Sequence, residues 1–137
     1  MPAAKLIALD EDDLAVISAH LQDARLRVGD IVWREGEKRL VMVMERPDWD
    51  GALHGEPAPD RLISALRFDR VLSARSRNVA ASRPDAAIEL IGLEFAETKP
   101  PGGVVTLLFS GRGALRLEVE CLECELADLG IPVSKAD

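Results

Sequence analysis

Tyrosine is absent from this chain, and aromatic residues make up only 4% of it. A core built on aromatic packing is therefore excluded, and Leu, Val, Ile and Ala must fill it. The same scarcity removes the stacking platforms that hold single-stranded nucleic acid. Cysteine is almost as scarce. The two present, Cys121 and Cys124, stand three residues apart and make no disulfide framework. The compartment they imply is a reducing one. No apolar run approaches the roughly 20 residues that span a bilayer. The opening MPAAKLIALDEDD holds one lysine and turns acidic, which is unlike a signal peptide. The chain is expected in the cytoplasm, away from membranes. The two histidines, His20 and His54, have no ligand spacing to the cysteines. No metal and no cofactor is expected.

What is present is ordinary globular composition, 47% apolar and 30% charged. The 137 residues suit one domain over 1–137. A chain of this size buries roughly two-thirds of its unfolded surface without needing a disulfide or a metal. The net charge of −7 opposes nucleic acid, whose affinity comes mainly from Lys and Arg on phosphate.

Along the chain, Lys5 to Leu9 reads as a short strand or lead-in. Asp10 then has the character of a helix N-cap, with Glu11, Asp12 and Asp13 in the first turn. Leu14, Ile17 and Leu21 recur at helical spacing, which predicts a helix from about Glu11 to Asp23. From Arg25 the period becomes two. Its parity switches at Gly29-Asp30, a bulge or turn signal. Glu35 to Lys38 reads as a hairpin turn, and Leu40 to Glu45 as a buried central strand. Arg46 to Pro59 is rich in Pro and Gly and reads as a loop. Arg61 to Ser76 predicts one long strand, or two meeting near Asp69-Arg70. Ala87 to Glu97 predicts a strand with a parity shift near Leu90-Ile91. Pro100 to Gly103 is a turn, and Gly111-Arg112-Gly113 joins two strands as a hairpin. Val119, Leu122, Leu126 and Leu129 fall three and four apart, which predicts a closing helix stopped by Gly130 and Pro132.

The fold class expected is α+β. It would be a mainly antiparallel, strongly bent sheet or partly closed barrel with an N-terminal helix and a C-terminal capping helix. That order of elements resembles pleckstrin-homology-like barrels.

Three separated segments carry a resemblance: KLIALDEDDLAVISAHLQDA, SALRFDRVLSARSR and PGGVVTLLFSGRGALRLEVECLECELADLG. Together they resemble a family of short stand-alone bacterial proteins, mainly alphaproteobacterial, catalogued only as a domain of unknown function. The resemblance covers nearly the whole chain. It implies a bacterial, cytoplasmic, single-domain protein and transfers no catalytic residue.

The candidate sites are few. The C-x-x-C pair has Glu118, Glu120, Glu123 and Glu125 around it. Carboxylates raise a thiol pKa, whereas redox pairs need it lowered. Cys121 and Cys124 therefore read as packing residues. His20 reads as a helix boundary residue and Trp33 as core. In the Pro/Gly-rich loop, Trp49 either stacks on a ligand or anchors the loop, and His54 is its only imidazole.

Charge segregation is the strongest pattern. Arg61, Arg67, Arg70, Arg75, Arg77 and Arg83 lie in one stretch interrupted only by Asp69. The C-terminal segment is acidic through Glu118, Glu120, Glu123, Glu125 and Asp128. Arg67, Asp69, Arg75 and Arg77 share the parity opposite to Leu66 and Phe68, so they belong on an exposed strand face. The plain reading is a solvated face with weak ion pairs. The functional reading is a non-enzymatic interaction or adaptor domain that uses Arg67, Arg70, Arg75 and Arg77. Its partner would be a protein or a second copy of the chain. The alternative is a small ligand-binding protein or enzyme, with a pocket formed by residues 48–60 and using Trp49 and His54.

Overall fold

A computed structural model describes residues 5–47 and 61–130. The elements, in chain order, are β1 (Lys5–Ala8), α1 (Glu11–His20), β2 (Ala24–Arg27), β3 (Ile31–Arg34), β4 (Arg39–Pro47) and β5 (Arg61–Phe68). They continue as β6 (Val71–Arg77), β7 (Ala87–Glu97), β8 (Gly103–Phe109), β9 (Gly113–Val119) and β10 (Cys124–Gly130).

Local chemistry accounts for most boundaries. The Asp10 side chain accepts a hydrogen bond from the Asp13 backbone N–H at 2.8 Å and starts α1. Asp23, with φ of 65°, turns the chain into β2. A 3-10 turn at Val28–Asp30 marks the Gly29-Asp30 parity switch, and another at Glu35–Glu37 closes the β3–β4 hairpin. Lys38 takes the left-handed conformation after that second turn. Arg70 does the same, with φ of 62°, where the long arginine-rich strand divides into β5 and β6. In β7 the register against β8 shifts between Leu90 and Gly92, where the sequence parity changes.

Every strand pairing is antiparallel, and the order is β1-β10-β5-β4-β2-β7-β8-β9-β6, with β3 on β4. Strands β5–β6 and β9–β10 run alongside each other as one ribbon that passes a corner. There the Asp69 N–H donates to the Glu123 carbonyl at 3.0 Å and the Glu120 N–H to the Arg70 carbonyl at 2.9 Å. The sheet bends so that inward residues of both halves share one core. Leu66, Phe68, Leu107, Phe109, Leu117 and Leu126 all belong to it. Helix α1 adds Leu14 and Ile17, its C-cap Leu21 joins them, and the Leu93 N–H of β7 donates to the Ser18 hydroxyl at 3.0 Å.

The expected α+β description is overturned in two respects. Among the described residues there is one helix, not an N-terminal and a C-terminal one. The C-terminal segment is the strand β10, inserted between β1 and β5. Nor do the described strands close into the barrel that the pleckstrin-homology-like order suggested: the pairing path has two ends, β1 and β6, and what remains of the expectation is the antiparallel sheet. The error has a physical origin. Leu122 and Leu126 are four apart, which fits both a helical and a strand period. The residues that separate the two periods are Cys124, buried between them, and Leu129, which is 61% exposed. Inward positions run Leu122, Cys124, Leu126, Asp128, and this is a strand pattern. The strand β4 is internal, but only one of its faces is buried: Leu40, Met42 and Met44 are in the core while Val43 is 37% exposed.

Candidate interaction surface

The arginine stretch does not form one face. The corner divides it into a neutralised group and an open group.

Arg67 projects outward from β5. Its Nε lies 2.9 Å from Asp69 Oδ2 and its Nη2 lies 2.9 Å from Glu125 Oε2. Arg39 of β4 holds the other Asp69 oxygen at 2.7 Å, and Lys5 of β1 reaches Glu125 at 3.4 Å. The Asp69 hydrogen bond and charge hold the Arg39 guanidinium more firmly protonated than usual. Arg70, at the corner, pairs with Glu123 at 3.4 Å, and Lys38 with Glu120 at 2.7 Å. These groups border an open depression of about 480 Å³ lined by four cations and four carboxylates. Its charges cancel, so it has no preference for an acidic ligand.

Arg75 and Arg77 stand apart on β6. Both are exposed. Strand register places Arg75 beside Arg116 of β9, Arg77 beside Ala114 and Ser73 beside Glu118. Among the described residues no carboxylate pairs with Arg75, Arg77 or Arg116. Like charges directly across a strand pair repel; the carboxylate of Glu118, opposite Ser73, borders the same small depression as Arg75 and Arg116 without an ion pair to either. Strand β6 is also the last in the pairing path, with β9 as its only strand partner among the described residues.

Trp49 and His54 lie outside the described residues. The strands that flank them are in place, with Pro47 paired to Arg61. His20 sits on α1, where its Nδ1 and the Val16 carbonyl are 2.9 Å apart. Trp33 packs partly buried against the core. Both cysteines are free thiols on the β9–β10 side of the corner. Burial, then the Asp69 and Glu125 charges, push the Cys124 thiol far above its ordinary range. That is the opposite of what a thiolate nucleophile needs. Among the described residues no group of three His, Cys, Asp or Glu is placed to hold a metal ion, and no helix is long and apolar enough to cross a membrane.

One charged cluster escaped the sequence reading. Arg46 on β4, Ser64 on β5 and Asp128 on β10 all point inward, with exposures of 2%, 0% and 9%. Arg46 Nη2 donates to both Asp128 oxygens, at 2.9 and 2.8 Å, and its Nε donates to Ser64 Oγ at 3.1 Å. The Ser64 hydroxyl donates to Asp128 Oδ1 at 2.5 Å, and Arg46 Nη1 donates to the Pro47 carbonyl at 3.2 Å. The signal was a charge at inward parity, since Arg46 continues Leu40, Met42 and Met44. It was lost because Arg46 was assigned to a loop and Asp128 to a helix. The cluster is internally satisfied, which makes it a structural clamp joining three strands.

No curated protein and no solved structure matches the chain. A family model, described as a protein of unknown function (DUF2948), matches residues 4–137. By that match the chain belongs to the DUF2948 family.

Proposed function

We propose that this chain is a non-enzymatic interaction domain that docks an acidic protein partner on the β6–β9 face through Arg75 and Arg77. The observation that carries the reading is the contrast within one arginine-rich stretch. Arg67 and Arg70 are held by carboxylates at the corner, whereas among the described residues no carboxylate pairs with Arg75 or Arg77. Arginine suits such a surface because its planar fork of donors matches a carboxylate in two places. A net charge of −7 leaves nucleic acid as the weaker candidate. The setting proposed is the cytoplasm of a bacterium, in keeping with two free thiols.

The test is affinity capture from the native organism, read by mass spectrometry. Wild type and Arg67→Gln are expected to retain the same partner, and the double variant Arg75→Glu, Arg77→Glu to lose it. Equal capture by the double variant would overturn the reading.

A further inference from the structure

We infer that β6 receives an extended acidic segment of that partner as an added strand, with carboxylates two residues apart facing Arg75 and Arg77. This inference rests on the reading above and adds the mode of recognition. A terminal strand presents a row of backbone N–H and C=O groups to one side, and an extended peptide satisfies them while its side chains supply specificity. The receptive stretch is bounded by structure. The register shift between Val71 and Ser73 limits it at one end. At the other, Asn78 turns with φ of 54° and donates from Nδ2 to the Arg112 carbonyl at 3.1 Å. Between them Arg75 and Arg77 point to one face, roughly 7 Å apart along the strand. On an added strand, residues i and i+2 share that spacing and that face. Arg116, one strand further in beside Arg75, adds a third positive charge at the same level.

The same geometry disfavours one way of seating a second copy of the chain on β6. Antiparallel pairing of β6 with itself about Ser76 would set Arg75 against Arg77 of the other copy, twice over. Like charges directly opposite are destabilising.

The probe is a short synthetic peptide of alternating Thr and Val with two Glu separated by one residue, titrated by calorimetry against the full chain. Binding is expected, and it should weaken about tenfold or more in the Arg75→Glu, Arg77→Glu variant, whose circular dichroism stays that of wild type. Two versions of the peptide, N-methylated on alternate residues, separate backbone pairing from charge alone: one should bind and the other should not. Equal binding by both versions, equal binding by a peptide with its Glu residues adjacent, or no binding by any peptide overturns strand addition. Capture of the native partner that still needs Arg75 and Arg77 would then leave the interaction reading standing. Capture indifferent to both arginines removes the interaction reading itself.

Discussion

Arg46 is a guanidinium facing a hydrocarbon core, and it is tolerable there only while Asp128 stays beside it. Removing one partner of a buried ion pair strands the other charge, so Asp128→Ala is expected to destabilise the fold by about 3–5 kcal/mol. Replacing the whole cluster, as Arg46→Met with Ser64→Ala and Asp128→Leu, should restore stability close to wild type, because well-packed apolar groups often equal such a pair. Urea unfolding of both variants measures the difference. At the corner, the hydrogen bond from Lys38 and then its charge hold the Glu120 carboxyl below its ordinary 4.5. A lowered folded-state pKa means this contribution is complete above 4.5 and is lost as pH falls through the folded value. Lys38→Gln should therefore raise the Glu120 midpoint toward 4.5 in an NMR titration. The thiols give a third readout. A thiol reagent should label partly exposed Cys121 in the native protein and Cys124 only after unfolding. The acidic neighbours that raise the Cys124 thiol were legible in the sequence as the glutamates around the pair. The Arg46–Asp128 pair was not, because the two residues are 82 positions apart and pairing at that range is decided by strand order.

Among the elements, α1 and the strand signals from Arg25 through Val119 were legible because each carries its period and its punctuation locally. Asp10 caps, Gly29-Asp30 breaks parity, and Gly111-Arg112-Gly113 turns. Strand β10 was not legible, since Leu122 and Leu126 satisfy two periods at once and the deciding residues are a buried cysteine and an exposed leucine, Cys124 and Leu129. Close packing adds a constraint that no periodicity reveals. A Cβ at Gly103, the first residue of β8, would lie 2.5 Å from the Ala96 carbonyl oxygen and 2.7 Å from the Phe95 ring. Gly103→Ala must therefore displace the β7 backbone, at a cost of about 1–3 kcal/mol. Thermal unfolding should show it, while Gly36→Ala, where nothing lies within 4 Å of the new methyl, should show little change.

For the molecule as a whole, the consequence of the fold is where its sheet ends. Among the described residues the open path leaves β6 terminal, and its arginines pair with none of the carboxylates gathered at the corner. Surface substitutions of this kind usually shift stability by no more than about 0.5 kcal/mol. The Arg75→Glu, Arg77→Glu variant should therefore unfold at nearly the wild-type urea concentration, so that any loss of partner reflects the surface and not the fold. The amino-acid order by itself determined the core chemistry, the helix start, most strands and turns, and the existence of a basic stretch. These are local properties, set by period, capping and backbone preference. Only the tertiary structure decided which arginines are neutralised, that the acidic C-terminal segment is a strand between β1 and β5, and that a buried charge clamps three strands. Each of those depends on which residues meet across the sheet, and a linear pattern does not contain that pairing.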